Sequence, residues 1–220
     1  MIAKELISES IPPIKPDDTG VRALKWMEEF KVSHLPVVDG RTFLGLVSDN
    51  DILDMEVPEQ SISTITDTFE KIFIHENKHY YDALKIISDD HLSVLPVLND
   101  EGLYAGSISV NNIIEKLSTM VAVNEPGSVL ILEVRSNDYS LSQISQIVEG
   151  NDARILSAHV ASNFEGNLDV TLKINRSEIN GVIQTFQRYG YIIKSNFQIN
   201  NFYQEDLRNR FDSLMNFLKL

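Results

Sequence analysis

The sequence predicts an α+β protein built from two related units, a third unit with a different pattern, and a terminal helix. The first observation is an internal repeat, because the stretch Leu35-Pro36-Val37 returns as Leu95-Pro96-Val97, 60 positions later. The second is that residues 128–199 show apolar patterns in the order βαββαβ. The third is a C-terminal stretch with apolar residues at helical spacing. A motif repeated at a fixed period indicates two similar structural units packed together.

Composition excludes several classes of function. The 220-residue chain carries a net charge of −13, which argues against a nucleic acid or an anionic membrane as a partner. It contains no cysteine, so disulfides and thiolate metal sites are excluded, and this fits a reducing compartment. No stretch approaches the roughly 18 apolar residues of a membrane span, and residues 1–5 do not resemble a signal peptide. We therefore expect a cytoplasmic protein with no membrane or nucleic-acid partner.

Each of the first two units shows the order strand, helix, hairpin, helix. In the first unit, an extended entry at 12–15 precedes a helix that we expect to start at Pro16, with Asp17 and Asp18 near its first amides. Apolar runs at 34–38 and 43–47 predict a hairpin, and a second helix is expected from Asp51. The second unit repeats this plan. The predicted boundaries are 1–58 and 62–122.

The third unit begins after the turn signal Asn124-Glu125-Pro126-Gly127, which indicates a domain boundary. The βαββαβ order over 128–199 predicts a ferredoxin-like domain, with two helices on one face of an antiparallel sheet. Residues 200–220 predict an amphipathic helix, and exposed sheet edges together with this apolar face predict a homodimer. The apolar residues of the predicted helix are Tyr203, Leu207, Phe211, Leu214, Met215 and Leu218.

The repeated motifs resemble a tandem pair of CBS domains, and residues 128–199 resemble an ACT-type regulatory domain. The residues that carry the CBS resemblance are 35–39 with 45–51, and 95–97 with 106–112. The ACT resemblance depends on the βαββαβ order and on Asn137-Asp138 before the first helix. Together they imply a non-enzymatic sensor. CBS pairs bind adenine nucleotides between their repeats, and ACT domains bind amino acids at dimer edges.

The ACT-like part departs from its family at one position. The family usually has glycine near the turn into the first helix, where a ligand approaches the backbone closely. This chain has Tyr139 and Ser140 there, and side chains at that point would crowd a ligand. We therefore expect this domain mainly to dimerise rather than to bind an amino acid.

The CBS resemblance also implies a set of ligand-binding residues. In that family a Gly-apolar-x-Ser/Thr-x-x-Asp motif ends the hairpin, with the hydroxyl near the phosphates and the carboxylate on the ribose hydroxyls. Ser48 and Asp51 match it, whereas the second repeat has Ser109 but Asn112, which accepts hydrogen bonds without charge. One good site and one weakened or empty site are expected. Lys15, in a loop expected to border the crevice, is a further candidate for phosphate binding.

The candidate ligands are AMP, ADP, ATP and S-adenosyl compounds, and an unidentified protein partner would respond to them. Two interpretations without ligand binding stay open for these residues: Asp51 as a simple helix cap, and Lys15 as a solvated loop residue.

Two other classes of function stay open as well. One is a purely structural interaction module whose crevice is empty. The other is a metalloprotease, because residues 75–79 spell His-Glu-x-x-His, the pattern of zinc proteases. The repeat offset places His75 and His79 in a strand-to-helix loop with Asn77 as the expected cap, so the two histidines would not share a helical face. A chance match is the favoured interpretation. His34 is interpreted as an isolated structural or solvent-facing histidine.

Overall fold

The computed structural model describes residues 1–8, 10–164 and 166–198. The chain forms two compact units, Met1–Leu117 and Ser118–Leu220. The predicted helix over 200–220 lies outside the described residues. Among the helices that are described, none is long and apolar enough to cross a bilayer.

The first repeat has the predicted hairpin between two helices. Its elements are α1 (Gly20–Phe30), β1 (His34–Asp39), β2 (Thr42–Ser48) and α2 (Asp49–Leu53). Strands β1 and β2 pair antiparallel, and Ile14 adds a parallel bridge to Val37 on the other side of β1. The extended entry, the hairpin and the two helices are thereby confirmed.

The predicted starts of both helices are wrong by a few residues. Helix α1 begins at Gly20, because the hydroxyl of Thr19 accepts the amide of Arg22 at 3.2 Å and so acts as the N-cap. Asp18 does not cap the helix, because its carboxylate accepts hydrogen bonds from the Lys15 amide at 2.9 Å and the Arg22 guanidinium at 2.7 Å. Helix α2 begins at Asp49 rather than Asp51, since Ser48 caps it.

The second repeat has the same plan. Its elements are β3 (Ile74–His75), α3 (Tyr80–Asp89), β4 (Val94–Leu98), β5 (Tyr104–Ser109) and α4 (Val110–Met120). Strand β3 runs parallel to β4, and β4 pairs antiparallel with β5. The ladder shifts register after Val37 in the first hairpin and after Val97 in the second. The two repeats therefore share their irregularities as well as their strands.

The two repeats exchange short segments. Glu70, which precedes the first strand of the second repeat, pairs with Leu46 of β2 through two backbone hydrogen bonds of 2.8 and 3.0 Å. In the same way, the Ser8 amide at the start of the chain donates to Ser107 of β5 at 3.0 Å. Their neighbours enter the core of the other repeat, so the two repeats fold as one body. These neighbours are Phe69 in the first core and Ala3 and Leu6 in the second.

Glycine is required where each exchanged segment crosses β2 or β5. Gly45 has φ +146°, and a Cβ built on it would lie 2.7 Å from the Cβ of Phe69 and 3.0 Å from the Glu70 carbonyl oxygen. Gly106 has φ +147°, and a Cβ there would meet a methyl of Ile7. A side chain at either position would therefore collide with the crossing segment.

The second of the two compact units contains the predicted ferredoxin-like βαββαβ domain. Its elements are β6 (Ser128–Val134), α5 (Leu141–Glu149), β7 (Ile155–Ser162), β8 (Leu168–Ile174), α6 (Asn180–Arg188) and β9 (Ile192–Phe197). The sheet order is β7-β8-β6-β9 with every neighbour antiparallel. Buried residues of α5 and α6, including Ile144 and Phe186, pack with those of the two central strands, β6 and β8. The domain boundaries predicted from the sequence stay predictions.

Candidate functional site

The two repeats contact each other where the first hairpin strand of each repeat begins. The hydroxyl of Ser93, just before β4, accepts the amides of Ser33 and His34 at 3.0 Å each. At that same end, Ser48 is the cross-strand partner of His34, and Ser109 occupies the corresponding position in the second repeat. Both predicted ligand motifs therefore flank the line along which the repeats meet.

Ser48 and Asp51 are brought together as a capping box at the start of α2. The carboxylate Oδ2 of Asp51 accepts the Ser48 amide at 2.8 Å and the Ser48 hydroxyl at 2.6 Å. In return, the Asp51 amide donates to the Ser48 hydroxyl at 3.1 Å. The other carboxylate oxygen, Oδ1, accepts no hydrogen bond from the described residues, and the side chain is partly exposed. One oxygen therefore holds the helix, and the other is available to a ligand.

The second repeat builds the same cap with an amide side chain. The carbonyl oxygen of Asn112 accepts the Ser109 amide at 3.1 Å and its hydroxyl at 2.6 Å, and the Asn112 amide donates back at 3.2 Å. The remaining side-chain atom of Asn112 is a nitrogen that can only donate. The two sites therefore share one geometry but differ in the atom left for a ligand, which is an anionic acceptor at Asp51 and a neutral donor at Asn112.

The surroundings of the first site are acidic. Burial lowers the pKa of His34, and the nearby carboxylates of Glu70, Asp49 and Asp51 act in the opposite direction. No lysine or arginine in the described parts of the chain forms an ion pair with any of these three carboxylates. A ligand at this site would meet unneutralised negative charge.

Lys15 is not brought to the other four candidate residues. It follows Ile14, which pairs in parallel with Val37, so Lys15 lies beyond the Val38 end of β1. Ser48 lies at the opposite end, beside His34. From His34 to Val38, four residues of extended strand span about 13 Å. The exposed side chain of Lys15 therefore lies at the far end of this sheet, and a contact with phosphate stays a prediction.

The His-Glu-x-x-His stretch does not form a zinc-protease helix. His75 lies in β3, whereas His79 is the N-cap of α3 and accepts the Tyr81 amide at 3.3 Å. The prediction that the two histidines do not share a helical face is confirmed. The predicted cap, Asn77, is wrong, because it donates to Asp100 at 3.1 Å instead. In the described residues, no three histidine or acidic side chains are grouped so that they could hold a metal.

Sequence reasoning missed the role of His34 at the centre of the junction. Its ring nitrogen Nδ1 lies 3.1 Å from the Ser93 hydroxyl and 3.3 Å from the Ser93 amide. The available signal was a difference between the repeats: the first has histidine immediately before Leu-Pro-Val, and the second has Val94. Burial at a contact between repeats is a tertiary property, so that difference alone did not reveal it.

Comparison with known proteins identifies the repeats. The family model described as "CBS domain" matches residues 3–57 and 63–119. Over 148 residues the chain is 22% identical to an inosine-5'-monophosphate dehydrogenase of Methanocaldococcus jannaschii, covering 67% of this chain and 30% of the dehydrogenase. The chain spans 26–41% of the length of three curated relatives, so their activities as whole proteins do not transfer to it.

Two solved structures are similar to about half of this chain. A CBS domain pair/ACT domain protein from Thermotoga maritima has a TM-score of 0.48 and 23% identity, covering 54% of this chain and 98% of that one. A structure of CBSX2 in complex with AMP has a TM-score of 0.47 and 21% identity, covering 54% and 96%. The two ranges matched by the family model make up half of the chain and contain the two structural repeats. The chain therefore belongs to the CBS domain family, with two CBS domains in tandem followed by a ferredoxin-like βαββαβ domain.

Proposed function

We propose that the CBS pair binds an adenosine-containing ligand at the first repeat, and that the protein acts as a regulatory sensor rather than as an enzyme. The observation that carries this proposal is the free oxygen Oδ1 of Asp51 at the junction of the repeats. A ribose diol offers two adjacent hydroxyl donors, and an ionised carboxylate is an acceptor that suits them. Membership of the CBS domain family supports the same ligand class.

The charge around the site ranks the candidate ligands. Asp49, Asp51 and Glu70 all act on the His34 ring, so they lie near one another without a paired cation among the described side chains. Like charges repel, and the repulsion grows with each added phosphate. We therefore expect AMP and the positively charged S-adenosylmethionine to bind more tightly than ADP, and ADP more tightly than ATP.

The proposed mechanism is a population shift. A ligand held at the junction favours the arrangement of the two repeats that contacts it best, and it stabilises that arrangement by its difference in affinity. The rest of the chain or a protein partner would respond to this shift. The predicted homodimer and the identity of that partner stay predictions.

Titration of the full chain tests the proposal. AMP, ADP, ATP and S-adenosylmethionine are added separately, and stability is followed by thermal unfolding and binding by calorimetry. A ligand at 100 times its dissociation constant is expected to stabilise the fold by about 2.7 kcal/mol. The matched control is 2′,3′-dideoxy-AMP, which keeps the base and phosphate but lacks the diol, and we expect it not to bind. If none of the four moves the melting curve at millimolar concentration, the sensor proposal fails.

A structural module with an empty crevice is the second candidate function. The observation that favours it is that the capping box of Ser48 and Asp51 is complete without a ligand. Both helices would then keep the residues of the motif for stability alone. The absence of a response to any of the four ligands in the same titration would favour this alternative.

A further inference from the structure

The contact between the repeats is asymmetric, and His34 causes the asymmetry. Ser33 and Ser93 occupy equivalent positions in the two repeats. Ser93 accepts the two amides that face it, those of Ser33 and His34, through its hydroxyl. The amide of Ser93 itself donates to Nδ1 of His34 at 3.3 Å. Val94, the counterpart of His34, is buried in the core of the first repeat, whereas the His34 ring is only half-buried.

The hydrogen bonds around Nδ1 require it to be an acceptor. A backbone amide can only donate, so the bond from the Ser93 amide places the lone pair of Nδ1 toward it. The Ser93 hydroxyl already accepts two amides, so its own hydrogen is directed to Nδ1 at 3.1 Å. The neutral ring therefore carries its proton on Nε2. In this form the single lone pair of Nδ1 is shared by two donors of Ser93, on the opposite repeat.

Protonation would turn this acceptor into a donor. The charged imidazolium carries hydrogens on both nitrogens, so Nδ1–H would face the Ser93 amide and a Ser93 hydroxyl whose acceptor sites are filled. Only the Ser33 hydroxyl, 3.1 Å from Nδ1, could accept the new hydrogen, and it belongs to the same repeat as His34. The amide and the hydroxyl of Ser93 would lose the lone pair that they share.

We propose that His34 makes the junction between the two CBS repeats sensitive to pH, with protonation of Nδ1 releasing Ser93 and loosening one repeat from the other. The half-exposed ring gives protons access from solvent. The device concerns the chain without a ligand, so it stands apart from nucleotide binding. A proton and a ligand at the same junction would both act on the arrangement of the repeats.

The charged groups that act on the ring come from two directions. Glu70 lies on the segment that crosses β2, and Asp49 and Asp51 lie in the first turn of α2; all three favour the protonated ring. From the second repeat the contact is made by Ser93, which is uncharged. Burial outweighs the carboxylates, so the pKa of His34 lies below its ordinary value of 6.5.

The sign of the pH effect follows from this lowered pKa. The folded chain binds the proton of His34 less readily than the unfolded chain, so the stability from this residue is fully present above pH 6.5. It is lost progressively as the pH falls from 6.5 through the lower pKa of the folded state. For each unit of lowering, the unfolding equilibrium constant rises up to tenfold.

Urea unfolding of the full chain at pH 7.5 and pH 5.5, without ligand, tests the inference. The single tryptophan, Trp26, packs against the core of the first repeat, so its fluorescence reports this unit rather than the ACT-like domain. Three proteins are compared: the natural chain, His34→Asn, and His159→Asn. Asparagine keeps a carbonyl acceptor near the position of Nδ1 but does not titrate in this range. His159 is exposed on β7 and serves as the matched control.

We expect the natural chain and His159→Asn to lose more stability between the two pH values than His34→Asn. Equal losses in all three proteins would overturn the inference. If His34→Asn fails to fold, NMR titration of the natural chain decides. The ring should show the proton on Nε2 at pH 7.5 and titrate below 6.5. A proton on Nδ1, or titration at or above 6.5, would also overturn it.

Discussion

Replacing Gly45 with alanine is expected to destabilise the CBS unit by about 3–4 kcal/mol, the largest effect of any small substitution that we predict. The added Cβ would lie 2.7 Å from the Cβ of Phe69 and 3.0 Å from the Glu70 carbonyl oxygen, in a backbone conformation that side chains rarely adopt. Glu70 cannot retreat without breaking its two backbone hydrogen bonds to Leu46. Urea unfolding followed by Trp26 fluorescence measures the loss.

Two other glycines are matched controls for this prediction. Gly40 has φ +60° in the hairpin turn and open space around it, so Gly40→Ala should cost only the backbone strain, about 1 kcal/mol. Gly106→Ala would bring its Cβ within 2.4 Å of a methyl of Ile7, a side chain that can move, so its cost should be intermediate. If Gly45→Ala loses no more unfolding free energy than Gly40→Ala, the close approach of the crossing segment is not the reason that position 45 requires glycine.

The sequence predicted the parts of the fold that local patterns determine. In each repeat, two short apolar runs lie on either side of turn residues, so both hairpins were predicted. The βαββαβ order of residues 128–199 was predicted from its apolar periodicities. Helix starts were less accurate because several polar residues compete for each cap. Thr19 rather than Asp18 accepts the Arg22 amide in the first turn of α1, and Ser48 rather than Asp51 precedes α2.

The exchange of segments between the repeats was beyond prediction. Ala3 and Leu6 are separated by Lys4 and Glu5, and their burial in the second repeat depends on a long-range contact. The same limit applied to the site. Ser48 and Asp51 lie three residues apart, so their contact is local, whereas the position of Lys15 depends on the direction in which Ile14 pairs with β1. Contacts between residues close in sequence were therefore predictable, and those set by tertiary pairing were not.

Replacing Asp51 with asparagine, the residue that caps the equivalent helix of the second repeat, separates the effect on ligand binding from the effect on stability. In Asp51→Asn, the amide oxygen can take over the bonds to Ser48, because Asn112 already makes the same bonds to Ser109. The helix cap is kept, and the free carboxylate oxygen is replaced by a donor. We expect AMP affinity to fall about 10- to 100-fold, the value of hydrogen bonds to a charged group, while the melting temperature of the ligand-free protein stays unchanged. Calorimetry and thermal unfolding measure the two effects.

The reverse change, Asn112→Asp, provides the complementary measurement. It gives the second repeat the anionic acceptor that it lacks, so calorimetry should detect a second AMP site or an increased stoichiometry. Asp51→Ala is the less informative variant, because it removes the cap together with the ligand contact, and a lost cap alone costs about 1 kcal/mol. If Asp51→Asn binds AMP as tightly as the natural chain, Asp51 is only a helix cap, and the similarity of the two capping boxes is sufficient to explain both motifs.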